Sequence, residues 1–303
     1  MAPDLDILIR SSEDPLLLWV MHRQFSHALA FIPLGGLIVA LVLWIFLRRH
    51  FGFGWIYLAS TLGFATHGLL DAFTSYGTVL FWPWSQRRIF WDVLPIIDPL
   101  FTLLLFLGLV FSFRRSSAAP AQAALMAAAL FTLAAAYQHH RALELQQHLA
   151  ANRSHRISHE RVMPTVGNIL VWRSLYEDSG RIYADALRIL PWGKGRFWPG
   201  DSKEKFRKAD ISPMVPPGSQ LDRDLDRLQW FADDYLIFLD PVSGVIGDAR
   251  FSATTMGLQP FWGIRADVTK PEQAVTWLRF SSPFTRPLRD LWKQVRGDYP
   301  GFQ

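Results

Sequence analysis

The sequence predicts a mainly α membrane bundle of four transmembrane helices followed by a small α+β extramembrane domain. Three observations carry this. Half of the 303 residues are hydrophobic and 19% are charged, against about a quarter charged in an ordinary soluble domain. Residues 1–137 hold 15 charged side chains and no lysine, while residues 138–303 hold 42 and all six lysines. The first region is written in long apolar runs and the second in short alternating runs broken by turn residues, so two solvents are implied.

The elements follow in order. A polar N-terminal segment precedes the first apolar stretch, residues 28–47, which carries no charge. A second stretch at 54–74 is interrupted by His67 and Asp71, a third at 94–113 has Asp98 near its start, and an Ala-rich fourth covers 118–137. Each approaches the roughly 20 residues that cross a hydrocarbon layer. None has the basic start and early apolar run of a cleavable signal. Arg48-Arg49 and Arg114-Arg115 make two short loops basic, which places those loops in the cytoplasm. The N-terminal segment, the loop 72–93 and everything after Tyr137 then share the outer side, although Arg87 and Arg88 in the outer loop count against that orientation.

Residues 138–163 read as a polar connecting helix and 164–303 as the α+β domain. Runs 168–176 and 181–190 flank Glu177-Asp178-Ser179-Gly180, and runs 235–239 and 245–254 flank Asp240-Pro241-Val242-Ser243-Gly244. Both are hairpin signals. Residues 222–232 have helical spacing of Leu225, Leu228 and Trp230 or Phe231, opened by Ser219.

With no cysteine, disulfides, thiolate zinc sites, iron–sulfur clusters and a cysteine nucleophile are excluded, so any metal must sit on His and carboxylates. The net charge of +5 lacks a Lys/Arg-rich block, so nucleic acid is not a predicted partner.

The polar residues of the first region gather where topology brings them to one membrane face. His67 and Asp71, at i and i+4, project from one side of a helix, as an ion pair of ligands or as a helix-end hydrogen bond. Insertion scales charge an intramembrane carboxylate about 2.5–3.5 kcal/mol at the bilayer centre, which favours a functional role. Asp98 before Pro99 also suits a helix cap. His22 and His27, five apart, need an irregular turn to share an ion. Asp4 and Asp6 alternate as on an extended segment, which suits hard or borderline cations. Arg23, Arg87 and Arg88 can grip a phosphate or anchor to headgroups, and Ser85 can contact substrate or merely end a loop. His139, His140, His148, His155 and His159 form a looser group that reads as a solvated helix. The tryptophans of the second region read as core and membrane-surface residues.

Pro3-Asp4-Leu5-Asp6, then His22-Arg23 with Ser26-His27, then His67 with Asp71 and Phe73-Thr74-Ser75-Tyr76-Gly77-Thr78, then Pro83-Trp84-Ser85 with Arg88, then Ile96-Ile97-Asp98-Pro99-Leu100 resemble the YdjM-like family of inner-membrane proteins, described as membrane-bound metal-dependent hydrolases. Residues 3–112 carry the resemblance directly. Pro164-Thr165-Val166-Gly167-Asn168 with Trp172-Arg173 resembles the C-terminal part of longer members. The family's Pro-Asp-Leu-Asp motif follows an apolar helix, so the resemblance implies a fifth, upstream helix.

The expectation is a multi-pass bacterial inner-membrane hydrolase acting on an ester or phosphoester at headgroup level. Asp4, Asp6, His22, His27, His67, Asp71 and Asp98 are the expected ligands of one or two divalent ions, zinc before manganese, which activate water. Arg23, Arg88 and Ser85 are the expected substrate contacts. Membrane lipids and a small-molecule or lipid ester are the expected partners. The alternative is a non-catalytic membrane protein whose ion is structural or sensory.

Overall fold

The structure, a computed structural model, describes residues 2–280 and 285–300. Met1, residues 281–284 and residues 301–303, which belong to the expected 1–137 and 164–303 regions, lie outside them. The chain forms two compact units from alternating stretches: Met1–Trp91 with Lys208–Asp234 and Arg265–Trp277, and Asp92–Arg207 with Tyr235–Ile264 and Leu278–Gln303.

The first unit opens with a 3-10 turn, Pro3–Leu8, and the short α1, Leu17–Met21. Two more 3-10 turns, Phe25–His27 and Leu29–Phe31, lead into α2, Ile32–Leu47. Helix α3, Phe53–Ala72, returns alongside it. The two approach closely because glycines face bulky partners: a Cβ at Gly35 would meet the Phe64 ring, and one at Gly36 would meet Thr61. Small residues give apolar helices their contact where lipid removes any hydrophobic drive to pair. Leu34, Ile38, Leu41, Ile45 and Phe46 of α2 stay exposed, as do Trp55, Leu58 and Leu62 of α3. A soluble monomer rarely shows such a surface.

After α3 the chain closes a loop through the paired bonds of Thr78 with Ile89 and through Trp91 N–H donating to Ala72 O at 2.8 Å. Arg227 of α6, Gln220–Phe231, clasps Asp14 with two bonds of 3.0 and 2.8 Å. As expected, Ser219 caps α6, accepting from Asp222 N–H at 3.2 Å.

In the second unit α4, Pro99–Arg115, packs on α5, Ala119–Asn152, with Gly108 against Ala124. Sheet one runs β1 (His159–Pro164), β2 (Val171–Asp178), β3 (Arg181–Arg188), β4 (Arg196–Trp198), with β5 (Ser202–Glu204) also on β3. The β2–β3 turn falls on Ser179 and Gly180, both at positive φ, the geometry a two-residue hairpin needs. Sheet two runs β6 (Leu236–Asp240), β7 (Val245–Asp248), β8 (Trp262–Arg265), β9 (Thr276–Arg279). Helix α7, Thr285–Arg296, follows.

Among the described residues two helices, Leu29–Leu47 and Ala119–Asn152, are long and apolar enough to cross a membrane by length and composition. Two element bounds differ from expectation. Helix α4 has 17 residues, about 26 Å at 1.5 Å per residue, because it begins at Pro99 rather than near 94. Asp98 caps it, accepting from Phe101 N–H at 2.9 Å, and Pro99 takes the first position, where a missing N–H costs nothing. The connecting helix expected to 163 is instead the continuation of the fourth apolar helix and stops at Asn152. Ser154 turns at φ +60°, and the chain passes into β1.

Asp248 and Arg250 form a fully buried pair, joined at 3.0 and 2.7 Å, with Trp262 Nε1 donating to the same carboxylate at 3.2 Å. Asp248→Ala strands the guanidinium and is expected to destabilise the chain by about 3–5 kcal/mol. Chemical unfolding of the detergent-solubilised protein checks this, with Asp248→Leu/Arg250→Met expected to recover much of the loss.

Candidate metal centre

Four side chains of the first unit converge. Asp4 comes from the first 3-10 turn, His27 from the turn before α2, and His67 and Asp71 from the last turns of α3. One ligand atom from each lies within 4.8 Å of all the others. His27 Nε2 is 3.2 Å from Asp71 Oδ2 and 3.4 Å from Asp4 Oδ1. His67 Nε2 is 3.1 Å from Asp4 Oδ2 and 3.5 Å from Asp71 Oδ2. Ligands about 2.0–2.1 Å from a tetrahedral zinc stand about 3.3 Å from one another, and these four His–Asp approaches fall near that value. His27 Nε2 and Asp71 Oδ2 are shut off from solvent and make no hydrogen bond. Buried polar atoms are rarely left so. The group can hold a metal ion.

Local structure explains the convergence. The i, i+4 step sets His67 and Asp71 on one face of α3. Between them Gly68 lets the His27 carbonyl lie directly on the helix, since a Cβ there would collide with it. Gly68 thus fixes the distance between the turn bearing His27 and the helix bearing the other two.

Behind His27 stands Asp6, buried and saturated with donors. It accepts from Ser26 Oγ at 2.6 Å and Arg23 N–H at 3.0 Å, and meets His22 Nδ1 at 2.7 Å. Its Oδ2 is 3.3 Å from His27 Nδ1, which also lies 2.9 Å from Ser26 Oγ. With the Ser26 hydroxyl committed to Asp6, Nδ1 is the donor edge of the His27 ring and Nε2 turns its lone pair to the cluster. Burial pushes the Asp6 carboxyl up, but the hydrogen bonds from His22, His27 and Ser26 outweigh it and hold the group well below the usual carboxylate range. Burial depresses His27, and the Asp6 and Asp71 carboxylates 3.3 and 3.2 Å away raise it above the ordinary imidazole value.

The two histidines of the hexapeptide therefore divide. His27 faces the cluster, and His22 faces Asp6 with its ring 5.9 Å from that of His27. Arg23 makes the irregular turn between them at φ +62°, uncommon for a side-chain-bearing residue. Its guanidinium reaches Asp71 Oδ1 at 3.2 Å and Thr74 Oγ1 at 3.1 Å and lies over the Tyr76 ring. Arg88 is buried, donating to Gly77 O at 2.6 Å, with the rings of Tyr76, Trp230 and Phe231 each 5.3 Å away. Ser85 accepts from Arg87 N–H at 3.2 Å inside its own loop. Asp98 belongs to the second unit as the cap of α4 and is not one of the four converging residues. Ser26, Thr74 and Gly68 serve the centre without having been singled out. Ser26 and Thr74 lie inside the quoted motifs and Gly68 between His67 and Asp71, but hydroxyl bonds and a backbone contact have no periodicity to reveal them.

Of the looser histidines, His155 meets the Tyr176 hydroxyl at 2.9 Å and His159 stacks on Tyr235 at 4.5 Å. His140 pairs with Glu144 at 3.4 Å. These are structural contacts of the second unit.

A helical region with a His/Asp cradle at a helix end thus defines the class. The model of the YdjM inner membrane protein family matches residues 1–142, so that stretch of the chain is similar to YdjM inner membrane proteins. Comparison with curated proteins and with solved structures gives no match.

Gly68→Ala is expected to push the His27 turn off α3 and to weaken metal uptake while leaving all four donors in the chain. Titration of the purified protein with zinc checks this. Because a cation at Nε2 must displace the proton that Asp6 and Asp71 favour on His27, affinity is expected to fall as pH drops below the raised His27 value and to recover above it. The same titration repeated across pH reads it.

Proposed function

We propose that the chain is a metal-dependent hydrolase of the bacterial inner membrane, acting on an ester or phosphoester at the level of the lipid headgroups. The observation that carries this reading is the set of four donors, one atom of each within 4.8 Å of all the others, with His–Asp approaches of 3.1–3.5 Å. His27 and Asp71 supply its interior wall, and Asp4 and His67 supply its solvent edge, with side chains 32% and 21% exposed. That edge supports access by a substrate. Two imidazoles and two carboxylates suit zinc first and manganese second. A divalent ion held there would supply Lewis acidity, polarising an ester oxygen and making water a nucleophile near neutral pH.

The chain's own groups have defined parts. His27 and His67 present lone pairs, and Asp4 and Asp71 neutralise the cation. Asp6 orients His27. Arg23 holds Asp71 in place through one edge of its guanidinium and offers positive charge beside the cluster for an anionic substrate. Support for a headgroup-level substrate comes from α2 and α3, which carry lipid-type surface and meet the centre at the same end of the pair.

In the topology we propose, α2 to α5 all cross the membrane, the shorter α4 included. The Arg48-Arg49 and Arg114-Arg115 loops then face the cytoplasm, and the centre faces outward.

Detergent-purified protein is expected to hold one or two equivalents of divalent metal and to hydrolyse a chromogenic phosphodiester or phosphomonoester. His67→Ala and Asp71→Ala are expected to bind metal more weakly, so that they purify with little of it, and to lose turnover. Asp6→Asn, which removes the carboxylate behind His27, is expected to weaken metal affinity by about 10–100-fold. Unchanged metal content in both alanine variants would overturn the site. Metal lost from the variants with no turnover in the parent would overturn the hydrolase in favour of an ion that staples the turns to α3.

A further inference from the structure

The second unit carries an exposed feature that neither the metal centre nor the sheet packing uses. On α5, Met126, Leu130, Leu133 and Tyr137 lie on one stripe at steps of four, three and four residues, each 60–67% exposed. On a helix of this length and apolarity such a stripe faces lipid. One turn beyond Tyr137 comes Arg141, whose guanidinium lies 5.8 Å from the Tyr137 ring. A tyrosine followed by an arginine is the residue order of a helix leaving hydrocarbon for headgroups.

Arg141 does not extend into solvent. It donates to the carbonyls of Leu190 at 2.5 Å and Gly193 at 2.6 Å, and the adjacent Gln138 donates to Ile189 O at 2.8 Å. The loop after β3 is thereby tied to α5 at the boundary turn. Its tip is Trp192, 83% exposed, followed by the exposed bases Lys194 and Arg196. No acid lies between residues 186 and 200. Just before the loop, Arg188 holds the end of α7, donating to Val295 O at 3.0 Å and Arg296 O at 3.2 Å. Helix α7 leaves Leu288 and Trp292, at i and i+4, 52% and 60% exposed beside Arg289 and Arg296. Two tryptophans displayed with bases, on segments anchored at the end of a membrane helix, have the chemistry of an interfacial contact with anionic lipid.

We infer that the loop 190–196 and α7 seat the α+β part of the second unit on the anionic headgroup layer, with Trp192 as its interfacial anchor. The loop is tied to α5 one turn beyond its lipid-facing stripe, so this rests on α5 crossing the membrane and not on the metal centre. Seating the domain on those two segments fixes its height above the bilayer and leaves the hairpin tip Val242, 98% exposed, in water.

The absence of cysteine makes any introduced cysteine a unique label. The full chain is reconstituted in vesicles of phosphatidylcholine and phosphatidylglycerol, with a nitroxide at Lys194→Cys, Arg289→Cys or Val242→Cys. Collision with oxygen and with a water-soluble nickel chelate then reads depth. The 194 and 289 probes are expected at headgroup depth and the 242 probe in water. Adding Trp192→Ala to Lys194→Cys is expected to shift that probe toward the aqueous value. A 194 or 289 probe matching the 242 probe overturns the proposal, and a 194 probe that stays immersed without Trp192 overturns its role as anchor. Metal content of the same samples is read independently, so a failed metal centre and a failed anchor are distinguishable.

Discussion

The candidate site depends on one buried carboxylate. Asp6 sits two residues from a partly exposed ligand candidate, yet it is closed off from solvent and surrounded by Ser26, His22, His27 and the Arg23 amide. Leaving a carboxylate in such a place without donors would cost several kcal/mol. With four donors it becomes the knot that draws the N-terminal turn, the loop after α1 and the turn before α2 into one arrangement. Charge-assisted bonds of this kind are roughly twice as strong as neutral ones, and they orient as well as stabilise. Without Asp6 nothing would fix which nitrogen of His27 faces the cluster.

The second constraint comes from helix packing. Glycines at 35, 36 and 68 allow α2, α3 and the His27 turn to approach until backbone and side chains touch. In a protein whose helices display Leu, Ile and Phe outward, close contact supplies what the hydrophobic effect supplies elsewhere. The Gly68 contact lies within the centre itself, so a donor on a short turn and two donors on a long helix meet with little slack. The second unit solves a different problem. It buries Trp172 and Leu187 with Ala142 and Leu149 of a polar helix extension, and Leu175 with Ile182, Tyr235 and Ile237 in a second cluster, and it ties its charged residues in pairs such as Arg161 with Asp92 and Arg153 with Asp185.

Much of this was legible in the sequence, because periodicity and turn chemistry act locally. The apolar helix starts, the Ser219 cap and the Ser179-Gly180 hairpin follow from residues within a turn of one another. The i, i+4 relation of His67 and Asp71 is of the same kind. What escaped depends on distance. Nothing local ends at Asn152 the helix read as far as 163; the chain turns at Ser154 and returns as β1 and β2 against Ala142, Gln146 and Leu149 of α5. Likewise Asp6 and Asp4 look equivalent on an alternating segment, but the 3-10 turn sends them to different sides: Asp4 toward the cluster, Asp6 behind His27. Asp98 looked like a ligand and a cap at once, and the Phe101 amide holds it as a cap.

Whether these donors form a mixed imidazole–carboxylate shell is read most directly by X-ray absorption at the zinc edge of the loaded protein. The account predicts nitrogen and oxygen scatterers at about 2.0–2.2 Å with the outer-shell pattern of two imidazoles, reduced to one in His67→Ala. An all-oxygen shell without imidazole scattering, or a spectrum unchanged by His67→Ala, would contradict it.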